Sequence, residues 1–131
     1  MKDFPLESMH KQAFKMAEAT QCAGEQGKYW ELRERFVANQ RDLKLEDLPA
    51  HVQAIGVDKE AFQQCLDSGK YSSQIRSDLE EGQHAGVRSV PTFLIGFAQP
   101  DNKVRAVKMI RGAQQYSAFK EALENLFSSA K

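Results

Sequence analysis

Long apolar runs, a net charge and a closely spaced cysteine pair are all missing from this chain of 131 residues. Apolar stretches such as residues 90–97 are far shorter than the roughly 20 residues that a membrane-spanning helix needs, so we predict that this is not a membrane protein. The 18 lysines and arginines balance the 18 acidic residues, which disfavours nucleic acid and anionic membranes as partners. Residues 1–7 include an acid and a proline where a secretory signal would have basic and then apolar residues, so no signal peptide is predicted.

The chemistry-bearing residue types are also sparse. The two cysteines, Cys22 and Cys65, are too few for a disulfide-rich scaffold and lack the CxxC spacing of a redox motif. Taken alone, they are predicted to be small buried apolar residues on helices. The histidines, His10, His51 and His84, lack metal-ligand spacing and are expected at the surface. Because the glycines form no phosphate-binding loop either, we expect no metal and no cofactor.

Apolar residues at helical spacing predict five helices before residue 86. Asp58 is a suitable N-cap for the fourth helix, and Gly69 can take the left-handed conformation that ends it. Tyr29 and Trp30, on the second helix, are expected in the core. The predicted helices cover residues 8–23, 28–39, 47–56, 58–69 and 71 to a fraying end near Gly82 or Gly86.

The pattern changes after Gly86 to short runs of β-branched and large apolar residues. We predict strands at residues 92–96 and 104–110, joined by a loop, and a final amphipathic helix from Ser117 onward. The fold class is therefore α/β, with residues 1–131 as one domain. An isolated two-stranded ribbon is marginal in stability, so residues 2–4 are interpreted as the tail of a further strand that is largely absent.

Several segments carry a resemblance to a known family. The segment Gly86-Val87-Arg88-Ser89-Val90-Pro91-Thr92-Phe93-Leu94-Ile95-Gly96 is similar to the cis-proline loop and following strand of thioredoxin-fold proteins, especially the DsbA-like thiol-disulfide oxidoreductases. In the same order, residues 2–6, 22–31 and 65–71 resemble the same family, and residues 111–116 resemble its turn into the last helix. The resemblance covers essentially the whole chain.

The resemblance implies a partial thioredoxin-like fold of DsbA type. Residues 7–85 would be the helical insertion, and residues 86–131 would hold the cis-proline loop, the hairpin and the closing helix. The chain resembles an N-terminally truncated member without the CxxC segment, so the resemblance assigns no catalytic residue. The resemblance implies that Val90 and Pro91 contact substrate. It also implies that the Val90–Pro91 bond is cis, whereas the residues alone favour trans. A structural disulfide between Cys22 and Cys65 is also implied.

By the same resemblance, the function is disulfide formation or isomerisation in unfolded or cysteine-containing polypeptides. Two alternatives stay open: a non-catalytic peptide-binding module that oligomerises through an exposed sheet edge, and a glutathione-dependent isomerase or transferase of related fold. The resemblance implies a periplasmic or otherwise extracytoplasmic location, whereas the missing signal peptide implies the cytoplasm if the chain is complete.

Overall fold

The structure is a computed structural model that describes residues 1–129. It divides into two compact units, residues 1–84 and residues 85–131. The last two residues of the predicted domain, 130 and 131, lie outside the described residues. Each unit has its own secondary structure, helical in the first and mixed in the second.

The first unit contains five α-helices and one short 3₁₀-helix. In chain order they are α1 (Ala13–Gly24), α2 (Tyr29–Ala38), the 3₁₀-helix (Leu45–Asp47), α3 (Leu48–Ala54), α4 (Lys59–Ser68) and α5 (Ser72–His84).

Local sequence signals explain the ends of α4. The Asp58 carboxylate accepts a hydrogen bond from the Ala61 N–H at 2.8 Å, which satisfies one of the free donors of the first turn. At the other end Gly69 has φ 63°, a left-handed conformation that glycine adopts without a side-chain penalty. Both features match the sequence prediction.

The prediction that the first helix begins near residue 8 is wrong. Residues 7–12 form turns, in which the Leu6 carbonyl accepts hydrogen bonds from the N–H groups of Met9 and His10. The Met9 side chain is exposed, so no apolar burial favours a helical turn here. The helix therefore begins only at Ala13.

The core of the first unit is formed mainly by α1, which packs against α2, α4 and α5. Its buried apolar residues are Met16, Ala19, Cys22, Ala23, Leu32, Phe36, Leu48, Val52, Val57, Phe62, Cys65 and Leu66. The prediction that Trp30 lies in the core is wrong, whereas the expectation that His51 lies at the surface is met only in part. Trp30 is 60% exposed, and His51 is half-buried with its ring 5.9 Å from that of Phe36.

The second unit is an antiparallel hairpin with one helix. It consists of β1 (Thr92–Ala98), β2 (Val104–Arg111) and α6 (Tyr116–Ser129). Phe93 pairs with Ile110, and the Phe93 ring meets that of Phe119 on α6 edge to face, with centroids 4.9 Å apart. The hairpin and the final helix match the predicted order, although β1 extends two residues beyond the predicted end.

An irregularity in the register of the hairpin falls between Ile95 and Gly96. Gly96 lies against the opposite backbone, and a Cβ atom added there would overlap the carbonyl oxygen of Arg105. Glycine in a strand commonly marks such a close approach. The predicted strand tail at residues 2–4 is wrong, because those residues form no strand. Among the described residues the sheet has two strands, so each strand has one unpaired edge.

Candidate functional site

The loop that carries Val90 and Pro91 leads directly into β1. The Val90–Pro91 peptide bond is cis. The Pro91 carbonyl accepts a hydrogen bond from the Gly112 N–H at 2.8 Å, and the Thr92 hydroxyl donates to the Ser89 carbonyl at 2.7 Å. These bonds fix the loop at the start of the hairpin, while the Val90 side chain stays 52% exposed.

The outer edge of β1 follows directly from this loop. In an antiparallel pair, successive residues direct their backbone groups alternately toward and away from the partner strand. The Pro91 carbonyl accepts its hydrogen bond from the Gly112 N–H on the β2 side, and Phe93 lies opposite Ile110. The backbone N–H and C=O groups of Thr92 and Leu94 therefore face the unpaired edge. Together with Val90 they form a surface, which we call the β1 edge, that has the groups needed to pair with an extended chain.

The two cysteines form a disulfide in the first unit. It joins Cys22 of α1 to Cys65 of α4, with the Cα atoms 5.8 Å apart and 43 residues of sequence separation. Both side chains are nearly inaccessible, at 2% and 8% exposure. The chain has no further cysteine, so it holds no free thiol in this state. The predicted site residues thus fall in different units, with the cysteines in the first and Val90 and Pro91 in the second.

A charged cluster that the sequence analysis did not find surrounds the N-terminal segment. The Asp3 carboxylate accepts a 2.7 Å hydrogen bond from the Gln21 amide, and the Asp3 N–H donates to Asp78 at 3.1 Å. Lys2 forms ion pairs with Asp78 at 3.2 Å and Glu81 at 2.5 Å. These contacts bind residues 2 and 3 to α1 and α5.

The electrostatics of this cluster follow from its burial and its partners. Burial raises the pKa of Asp3 above its ordinary value, and the negative charge of Asp78 adds to this, although the Gln21 hydrogen bond opposes it. Hydrogen bonds to Glu81 and Asp78 raise the pKa of Lys2. Because the cluster fastens the segment to two helices, its role is structural. No local sequence pattern could have found it, since Asp3 and Asp78 are 75 residues apart.

Neither a metal site nor a spanning helix was found within residues 1–129. No group of three or more histidine, cysteine or acidic side chains there could hold a metal ion. None of the described helices is long and apolar enough to cross a bilayer.

Comparison with known proteins identifies the family. The thioredoxin family model matches residues 1–125. This chain belongs to the thioredoxin family. The match confirms the broader part of the resemblance, and it agrees with a thioredoxin-like domain of helices and an antiparallel strand pair.

The curated relatives are much longer proteins. The Na(+)/H(+) antiporter NhaA 1 of Mycobacterium sp. (strain KMS) is 30% identical over 115 residues, which cover 86% of this chain and 19% of the antiporter. NhaA 3 of Salinispora tropica is 29% identical over 94 residues, or 72% of this chain and 14% of that protein. The chain thus spans less than a fifth of the length of these relatives. No solved structure matches it significantly.

Proposed function

We propose that this chain is the polypeptide-binding part of a DsbA-like thiol-disulfide oxidoreductase, which forms or isomerises disulfides in cysteine-containing proteins. The observation that carries the proposal is the β1 edge, where an exposed Val90 precedes a strand with unpaired backbone groups, in a chain of the thioredoxin family. An extended substrate would pair with the backbone of Thr92 and Leu94 and pack a side chain against Val90.

The proposal assigns recognition, rather than thiol exchange, to this chain. Disulfide exchange requires a thiolate that attacks a disulfide sulfur. Both cysteines of the chain are already in the Cys22–Cys65 disulfide, and both are buried. A buried sulfur in an apolar core is inaccessible to a substrate. We therefore assign these two residues a structural role.

The relatives named as Na(+)/H(+) antiporters do not lead to a proposal of ion exchange. The part of the Mycobacterium protein that matches this chain is 19% of its length. That name describes the whole protein, whereas the match covers 86% of this chain, and the thioredoxin family model matches residues 1–125 of this chain.

The binding role can be tested with one pair of variants. The probe is a fluorescein-labelled, extended peptide of alternating valine and serine, in which serine replaces cysteine so that no covalent trapping occurs. Val90→Asp places a charge on the β1 edge and should weaken binding in fluorescence anisotropy about tenfold or more. Val37→Asp is the matched control, because Val37 is similarly exposed at 58% but lies on α2. Equal losses in the two variants would refute the assignment.

The proposal that this chain recognises the substrate but does not itself exchange thiols has its own test. In an insulin-reduction assay with dithiothreitol, the chain should not exceed the uncatalysed rate. Catalysis that disappears in Cys22→Ala or Cys65→Ala would instead assign redox chemistry to these cysteines.

A second candidate function rests on the two unpaired sheet edges. An exposed strand edge is a template for pairing with another chain, so a non-catalytic module could associate with a second copy of itself. Light scattering over a concentration series tests this, and a strictly monomeric species at high concentration would contradict it.

A further inference from the structure

The zero net charge of the chain conceals a division between its two units. Residues 85–131 contain seven lysines and arginines and three acidic residues, whereas residues 1–84 contain eleven and fifteen. The second unit is therefore basic although the whole chain is neutral. This signal is visible in the sequence, but only once the boundary between the units is known.

The basic residues of the second unit concentrate on β2. Arg105, Lys108 and Arg111 occur at every third position and are exposed. No carboxylate lies within 4.0 Å of their charged groups among residues 1–129. By contrast, Lys103 just before the strand is paired with Asp101 at 2.9 Å, and Lys120 on α6 is paired with Glu124 at 3.7 Å.

The outer edge of β2 also offers backbone groups. Ile110 pairs with Phe93 and the Gly112 N–H bonds toward β1, so alternation directs the backbone of Met109 and Arg111 to the unpaired side. A groove of about 600 Å³ lies between β2 and α6. Half of its lining residues are apolar, namely Val107, Met109, Ile110, Ala118, Ala122 and Leu126, and the polar half includes Lys108, Arg111 and one acid, Glu121.

We propose that this outer edge of β2 binds an extended, acidic segment of a partner protein as a third strand. The backbone of the segment would pair with β2, and carboxylates on both faces of the added strand would meet Arg105, Lys108 and Arg111, because Arg111 lies on the opposite face of the sheet from the other two. Apolar side chains between the carboxylates would enter the groove. The charge complementarity identifies the acidic character of the partner. This site is on the opposite edge of the sheet from Val90, so it is independent of the proposed oxidoreductase function.

Protection of the sheet edge and binding of nucleic acid account less well for the basic strand. Charged side chains on an edge strand discourage edge-to-edge aggregation, but that role makes no use of the groove between β2 and α6. Single-stranded nucleic acid typically stacks its bases on aromatic side chains among the cations, but the Phe97 ring opposite Arg105 is already covered by the Arg105 guanidinium, 5.1 Å from the ring centroid. An acidic polypeptide uses the unpaired backbone, the cations and the groove together.

Fluorescence anisotropy on the full chain tests the proposal, with a labelled decapeptide in which pairs of glutamates alternate with pairs of valines as the probe, so that glutamates lie on both faces of the added strand. Replacing Arg105, Lys108 and Arg111 by glutamine should weaken binding by about tenfold or more. The matched control replaces Arg88, Lys103 and Lys120 by glutamine, which removes the same charge from the same unit, and should change the affinity by less than about twofold. Far-UV circular dichroism of both triple variants establishes that they fold.

Two further probes distinguish strand pairing from general charge attraction. The same decapeptide N-methylated at alternate residues cannot pair along one edge and should bind at least about tenfold more weakly. A lysine–valine decapeptide should not bind. The proposal is overturned if the two triple variants lose affinity equally, if methylation has no effect, or if a labelled oligothymidylate binds more tightly than the acidic peptide.

Discussion

Removing the Cys22–Cys65 disulfide should destabilise the first unit by about 4 kcal/mol. The bond closes a loop of 43 residues between α1 and α4, and the chain-entropy relation gives about 4 kcal/mol for a loop of this length. The sulfurs also fill space in the core, with 2% and 8% exposure of the two residues. Cys→Ala is the suitable change, because serine would add a buried hydroxyl.

The measurement is urea unfolding followed by far-UV circular dichroism for the wild type, Cys22→Ala, Cys65→Ala and the double variant. A fixed concentration of trimethylamine N-oxide in every sample keeps the folded baseline of the variants defined, since this osmolyte favours the folded state. Each single variant already breaks the bond, so the singles and the double should agree within about 1 kcal/mol.

Dithiothreitol provides the control. It should reduce the stability of the wild type to nearly that of the variants and leave the double variant unchanged. A double variant that loses less than about 1 kcal/mol would refute the reasoning, because the chain-entropy relation gives about 4 kcal/mol for this separation. Additive losses in the two single variants would also refute it, since they would mean that each cysteine acts alone.

Three further changes test the local structure. Asp58→Ala should cost about 1 kcal/mol in urea unfolding, because the Ala61 N–H loses its acceptor, and Asp58→Asn should cost less. Gly96→Ala should destabilise the hairpin by about 3 kcal/mol, since the added Cβ overlaps the backbone of β2. Gly24→Ala is the control, because its Cβ meets only ordinary contacts and the change should be neutral or stabilising. Similar losses of stability at both glycines would contradict this prediction. Burial raises the pKa of Asp3 above its ordinary value of 3.8. Between these two pKa values the folded state retains a proton that the unfolded chain has lost, so the free energy of unfolding should fall as the pH rises through this range. Asp3→Asn should remove this fall in urea titrations across that range, and an unchanged pH dependence would show that Asp3 does not cause it.

Features that depend on a few neighbouring residues could be predicted from the sequence. The Asp58 cap and the left-handed Gly69 were predicted because each acts within one turn of α4. The cis bond before Pro91 has no such local cause, since the residues alone favour trans. It was predicted only through the family resemblance.

Features that depend on tertiary contacts could not be predicted. The first helix begins at Ala13 because residues 7–12 gain no burial, which no periodicity shows. Trp30 has an apolar ring and a helical position, yet the core of the first unit is filled without it. The Asp3 cluster joins residues from opposite ends of the unit. The basic edge of β2 was missed because the charge of the whole chain is balanced.

The disulfide described above encloses α2 and α3 within a covalent ring. Arg41 lies in the exposed turn between these helices, where a trypsin-like protease can cut the chain. A cut at that position would not separate the protein into fragments, because the pieces on either side stay joined through Cys22 and Cys65. Under oxidising conditions the nicked chain would therefore migrate as one molecule. Only a reductant would release its two pieces and reveal the cleavage.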